Sequence, residues 1–208
     1  MIPPSPIHAL NRSAYDCLAP RFAEVHTAMP PDLAEAAGRL LDRLGSPPAL
    51  LLDLGCGTGR DLAWLDAHGA PGFGADLSRG MLAQAQQVTS RPVCQMDMLF
   101  LGFASGCFRA VWCCAALLHL PKREAPHALS EMSRVLVPGG FLSLSIQKGS
   151  EETLERDSYT GSVERFFARY EPAEMTALLE EAGFLILAQG ENISGRYWVW
   201  FDAQKRPG

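Results

Sequence analysis

Leu50-Leu51-Leu52-Asp53-Leu54-Gly55-Cys56-Gly57-Thr58-Gly59 is an apolar run that ends in an acid and a glycine-rich turn. A short apolar run bounded by turn residues reads as a strand buried on both faces, and a helical pattern follows it. In an open α/β sheet such a strand delivers its carboxyl end to a ligand. Glycine lets the backbone turn tightly and approach a bound molecule, because no Cβ stands in the way. The run is G-x-G-x-G and position 60 is Arg60, so the third glycine of the dinucleotide fingerprint is missing.

Outward from this run the pattern alternates. Strands are expected at 49–54, 72–75, 92–96, 110–115 and 141–146. Helices are expected at 59–68, from Ser78 with Met81, Leu82, Ala85 and Val88 on one face, and around Leu129, Met132, Val135 and Leu136. Pro138-Gly139-Gly140 reads as the turn into the fifth strand. Strands alternating with helices imply a parallel sheet with helices on both faces.

The flanks differ. A Pro-rich lead precedes a half-apolar helix around 11–19. Asp32 reads as the cap of a second helix with Leu33, Ala37, Leu40, Leu41 and Leu44 on one face, stopped by Gly45 and Pro47-Pro48. Residues 148–170 read as an irregular linker of mixed charge, and 172–181 as a helix ending at Gly183. Two runs, 184–188 and 197–201, are joined by a turn with Asn192 and Gly195, so they pair antiparallel. Tyr197, Trp198, Trp200 and Phe201 alternate as in a strand and are expected mostly in the core.

The bulk composition narrows the class. At 208 residues, 48% hydrophobic and 20% charged, the chain fits one domain with an ordinary core. The net charge of −5 supplies no basic footprint, which counts against a nucleic-acid partner. The six cysteines form no C-x-x-C pair and no zinc spacing with histidine, so no metal is expected and the thiols read as reduced. Cys56 reads as a small residue that fits its loop, not as a nucleophile. The first residues carry no signal-peptide pattern, and the longest apolar run, 110–118, is too short to cross a bilayer. A cytoplasmic protein is the expectation.

Acids close three successive strands: Asp53, Asp76 and Asp97. A carboxylate at a buried strand end needs partners to offset its desolvation. The fourth strand ends near Ala115-Ala116-Leu117.

A strand ending in Asp53 followed by Gly55-Cys56-Gly57-Thr58-Gly59 resembles motif I of the class I S-adenosylmethionine-dependent methyltransferases. Gly72 to Ser78 is similar to motif II, and Gln95-Met96-Asp97-Met98 to the motif that follows it. Leu118-His119-Leu120 and the run Glu131 to Gly140 resemble the later motifs. The resemblance spans residues 49–202. It implies a Rossmann-like seven-stranded sheet, mostly parallel, with a C-terminal antiparallel hairpin. It also implies an N-terminal helical lid over 1–45 and a cofactor-binding core over 46–208, within a single domain.

In that family the motif II acid accepts hydrogen bonds from both ribose hydroxyls, a role that falls on Asp76; a carboxylate has only acceptor sites and the diol supplies two donors. Leu77 and Met81 would flank the adenine, and Asp97 with the Met98 backbone would take its amino group. Asp53 would either touch the methionine amino group or brace the glycine loop. Gly55, Cys56, Gly57, Thr58, Gly59 and Ala115 would shape the cofactor site, and Tyr15 would fold over it. His119 is the candidate general base, against the plainer reading of a hydrogen-bonded loop histidine. One departure is Phe108-Arg109-Ala110-Val111, where the family often has Phe-Asp-x-Val, which puts local packing in question.

The implied activity is in-line methyl transfer from S-adenosyl-L-methionine to a small-molecule acceptor, leaving S-adenosyl-L-homocysteine. Strong acid–base machinery is optional, because the sulfonium is an excellent leaving group. Residues 14–31 and 148–170 are expected to cover the substrate. Three readings compete: a tRNA-modifying methyltransferase, an NAD-dependent oxidoreductase, and a non-catalytic S-adenosylmethionine-binding protein. The acidic charge opposes the first, and the missing glycine and closing hairpin oppose the second.

Overall fold

The computed structural model describes residues 6–45, 49–194 and 196–207. The Pro-rich lead, the Pro47-Pro48 pair and Gly195 of the last turn lie outside the described residues. The opening apolar run forms β1 (Leu51–Leu54), buried at every position. Side chains alternate along it. Leu51 enters one core cluster with Leu65, Trp112 and Phe141, while Leu52 and Leu54 enter the other. Each buried leucine contributes about 1.5–3 kcal/mol.

Alternation continues through α3 (Arg60–Ala67), β2 (Gly72–Asp76), α4 (Arg79–Val88), β3 (Val93–Gln95), β4 (Phe108–Cys114), α5 (Ala125–Val135) and β5 (Leu136–Gln147). After α6 (Pro172–Glu181) come β8 (Phe184–Ser194) and β9 (Arg196–Lys205). Seven strands lie in the order β3-β2-β1-β4-β5-β9-β8. β1 pairs in parallel with β2 and with β4, and β9 runs antiparallel to β5 and β8. The Rossmann-like, mostly parallel sheet with a closing antiparallel pair is therefore present. The order of strand addition reverses between the parallel strands β1 and β4, which is where an open sheet leaves a crevice for ligand.

Several local expectations are corrected. Residues 148–170 are not an irregular linker: β6 (Glu152–Arg156) and β7 (Glu164–Ala168) form a separate hairpin. Its turn is tied by Asp157, whose carboxylate accepts the amides of Tyr159, Thr160, Ser162 and Val163 at 2.7–3.0 Å. Burial pushes Asp157 up, but these donors outweigh it and hold the carboxyl well below its usual range. Pro138-Gly139-Gly140 is an irregularity inside β5, whose register on β4 shifts between Phe108 and Ala110. The N-terminal helix α1 is longer than expected, Pro6–Val25. In α2 (Pro31–Leu44) the N-cap is Pro30; Asp32 lies in the first turn, where its charge suits the helix dipole. Val88 at the end of α4 is exposed, and so is Tyr197, which is not core. Arg109 causes no packing defect: it is exposed and its guanidinium lies over the Phe141 ring at 5.5 Å. No helix among the described residues is long and apolar enough to cross a membrane.

Candidate functional site

A cavity opens at the carboxyl ends of β1, β2 and β4, under α1. Its floor is the glycine loop. Gly55 has φ of 78°, and a Cβ there would stand 2.3 Å from Ala116 Cβ. Gly59 has φ of 79° and no room for a side chain beside Ala85, 3.0 Å away. Only glycine takes these backbone angles without strain. The Gly55 N–H donates to Ala75 O (2.7 Å), tying the loop to β2.

Asp76 completes that tie. Its Oδ2 accepts from Gly57 N (2.9 Å) and its Oδ1 from Ser78 N (2.8 Å). Burial nonetheless raises its pKa. Asp53 is 2% exposed, and its Oδ2 is buried with no hydrogen-bond partner among the described residues. Burial first, then the nearby Asp61 and Asp76 charges, push Asp53 well above the carboxylate range. Asp61 is a site residue that the sequence reading missed. Its Oδ2 accepts from Trp112 Nε1 (3.1 Å) and its Oδ1 from Arg60 Nε (2.6 Å).

Helix α1 roofs the cavity through three polar side chains, Asp16, His8 and Asn11, that reach separate parts of the fold. Asp16 Oδ1 accepts from Ser78 Oγ (2.7 Å) and Gly80 N (2.8 Å). His8 bridges Asp97 Oδ2 (3.1 Å) and Glu124 Oε2 (2.7 Å). Asn11 Oδ1 accepts from Phe166 N (2.8 Å), and its Nδ2 donates to His119 O (2.9 Å). Asp97 Oδ1 also accepts from Leu99 N (2.9 Å). Burial pushes Asp97 up, but the His8 and Leu99 bonds outweigh it and hold the carboxyl below its usual range.

His119 and Tyr15 form a joined pair. The His119 Nδ1 lies 3.0 Å from Phe166 O, which can only accept, so Nδ1 carries the proton. Nε2 then accepts from Tyr15 Oη at 2.6 Å. Arg165 Nη1 donates to the same Tyr15 oxygen at 3.2 Å. Burial lowers His119 to about 4 and raises Tyr15 to about 12, so both are neutral at pH 7.

The structure brings Asp53, Gly55, Cys56, Gly57, Thr58, Asp76, Leu77, Met81, Asp97, Met98, Ala115, Tyr15 and His119 onto one cavity wall. Gly59 does not line it and instead turns the chain into α3. Burial pushes the Cys56 thiol well up, which removes its thiolate at neutral pH. Ala115, with φ of 56°, is the one non-glycine residue in the left-handed region among the described residues. It sits where the cavity meets a second one, of about 420 Å³, walled by rings including Phe22, Phe167, Trp198 and Trp200. Tyr159, Arg165 and Phe167 enter that second wall from the β6–β7 hairpin. Their signal in the sequence is the ring-and-arginine cluster within 159–167, but its strand pairing carries no clear period. Among the described residues no group of three His, Cys, Asp or Glu is placed to hold a metal ion.

Residues 51–140 match the family described as methyltransferase domain. The methyltransferase GfsG of Streptomyces halstedii is 34% identical over 126 residues, 54% of this chain and 45% of that protein. A malonyl-[acyl-carrier protein] O-methyltransferase of Herminiimonas arsenicoxydans is 36% identical over 135 residues, 63% of this chain and 50% of that protein. The chain thus spans about half the length of these curated relatives. The fold matches the Burkholderia thailandensis 1,6-didemethyltoxoflavin-N1-methyltransferase, solved with 1,6-didemethyltoxoflavin and S-adenosylhomocysteine, with a TM-score of 0.78 over 99% of this chain and 93% of that one, at 21% identity. Sheet order and glycine loop agree with the likeness of residues 51–140 to the methyltransferase domain.

Proposed function

We propose that the protein transfers a methyl group from S-adenosyl-L-methionine to a small-molecule acceptor. The observation that carries this reading is Asp53, which lines the glycine-loop cavity at the end of β1 and whose buried Oδ2 has no donor among the described residues. An orphaned carboxylate oxygen calls for a cationic donor. The amino group of the methionine portion is such a donor. Asp76, whose two oxygens each keep an acceptor site beyond the loop amides, suits a ribose diol. Leu77, Met81 and Met98 offer apolar surface for adenine, with Asp97 beside them for its amino group.

When bound, S-adenosylmethionine supplies an activated methyl group whose transfer leaves a neutral thioether, S-adenosylhomocysteine. The chain's own part is to align the acceptor at the junction near Ala115 and to exclude water. His119 acts as base through Tyr15: an acceptor hydroxyl gives its proton to Tyr15 Oη while Tyr15 passes its own to His119 Nε2. An acceptor that arrives as an anion has no need of this relay.

Relatives whose names state a small-molecule or carrier-bound acceptor, and a net charge of −5, support a small-molecule acceptor over nucleic acid. We read residues 1–45 as a lid and 46–208 as the cofactor-binding core of one domain, and we place the protein in the cytoplasm, in keeping with six unpaired cysteines. Calorimetric titration with S-adenosylhomocysteine is the test. Wild type should bind, and Asp76→Ala should weaken binding by about tenfold or more, the worth of a charge-assisted hydrogen bond. Folded wild type that does not bind would sink the reading.

A further inference from the structure

Arg165, on β7, is 5% exposed, and its Nε has no hydrogen-bond partner among the described residues. Among the described residues no carboxylate pairs with it. Its side chain makes one hydrogen bond among the described residues, from Nη1 to Tyr15 Oη at 3.2 Å. The guanidinium lies over the rings of Tyr15, Tyr159 and Phe167, with centroids 5.2–5.5 Å away. Ring faces hold a cation in place but give an N–H no lone pair to meet. A guanidinium does not lose its charge, and a buried charge without a counter-charge is far costlier than a paired one.

The cavity that Arg165 lines does not supply the counter-charge. Among the described residues its one lining carboxylate is Asp32 of α2, which forms no ion pair with them. Its other arginine, Arg60, is already engaged by Asp61 at 2.6 Å. The remaining walls combine the rings of Phe22, Phe167, Trp198 and Trp200 with uncharged polar groups such as Ser143 and Gln147. The guanidinium fork is shaped to bind a carboxylate through two parallel N–H bonds.

We infer that the second cavity binds a planar organic carboxylate, with the carboxylate on Arg165 and the ring system between the aromatic walls. Arg165 hydrogen-bonds Tyr15, which lines both cavities, so the charged end of the ligand lies at the junction. That this carboxylate is the methyl acceptor rests on the methyltransferase reading; the anion site does not.

Benzoate, cinnamate and indole-3-carboxylate, each against its primary amide, are the probes. They are titrated into the full chain and followed by tryptophan fluorescence, with and without S-adenosylhomocysteine. At least one carboxylate should bind about tenfold more tightly than its amide. Arg165→Met should erase the preference and Arg165→Lys should keep part of it, both with S-adenosylhomocysteine affinity within about threefold of wild type. Equal binding of acid and amide, no binding of any carboxylate, or a preference that survives Arg165→Met would overturn the inference. If Arg165→Met does not fold, wild type and Arg165→Lys decide it. A carboxylate preference without S-adenosylhomocysteine binding would leave the anion site standing and remove the methyltransferase reading; the converse result would do the reverse.

Discussion

Asp53 is held in an environment that favours its protonated form, chiefly through burial. An acid whose folded pKa lies above its unfolded value keeps an extra proton in the folded state. Stability is then fullest below the unfolded value of 3.8 and declines as pH rises toward the raised one. Asp53→Asn keeps the shape and removes the charge. The unliganded variant should be at least as stable as wild type at pH 7, with a flatter dependence of melting temperature on pH above 4. Its affinity for S-adenosylhomocysteine should fall by about 10- to 100-fold, the equivalent of about 1.5–3 kcal/mol. Calorimetry and thermal melts would check both; a variant that binds as tightly as wild type would mean that Asp53 only braces the loop. The strand-end acids were legible in the sequence because a buried apolar run ending in Asp is unusual. Asp61 and Arg165 were not, since their meaning depends on what faces them: the Trp112 indole in one case, three rings and an unmet Nε in the other.

The Tyr15–His119 pair links two elements and has a pH signature of its own. A histidine lowered to about 4 is neutral when folded but charges readily when unfolded, so stability is lost as pH falls from 6.5 toward 4. Tyr15→Phe leaves the buried Nε2 without its donor and should destabilise the fold by about 1–3 kcal/mol. Denaturant unfolding would measure it, and a shift under about 0.5 kcal/mol would mean that the pair is dispensable to the fold. For an acceptor that must lose a proton, the same variant should lower kcat more than it raises KM. The β6–β7 hairpin to which this pair is tied reads poorly in sequence for a physical reason. Arg165, Phe166, Phe167 and Ala168 are all buried in succession, because α1 and the turn at Leu117–His119 pack against β7. Two-sided burial erases the alternation that marks a strand. By contrast, the strands and helices from 51 to 147 have neighbours of regular kind on both faces, and their order was readable.

At the scale of the molecule, α1 is fastened across the cavity mouth by polar links as well as by its buried Ala14, Leu18 and Ala19. His8 reaches Asp97 and Glu124, Asp16 reaches the start of α4, and Asn11 reaches β7. Such links can open locally without melting the sheet. His8 makes that opening sensitive to pH. The Asp97 hydrogen bond raises its pKa, against burial, so the stabilisation is complete below 6.5 and is lost as pH rises through the raised value. A ligand beneath α1 that touches Tyr15 binds the closed form better than the open one, and so must shift the population toward closure. Hydrogen exchange across Pro6–Val25 should therefore slow when S-adenosylhomocysteine is added, while β1 and β4 amides change little. Corrected for intrinsic rates, α1 exchange in unliganded protein should quicken from pH 6 to pH 9, and His8→Gln should remove that step. At about 100 times Kd the ligand should add about 2.7 kcal/mol, or a rise of roughly 5–10 °C in Tm for a chain of this length. Protection confined to the glycine loop, with α1 exchanging equally in both states, would show that residues 1–45 are a fixed part of the wall and not a lid.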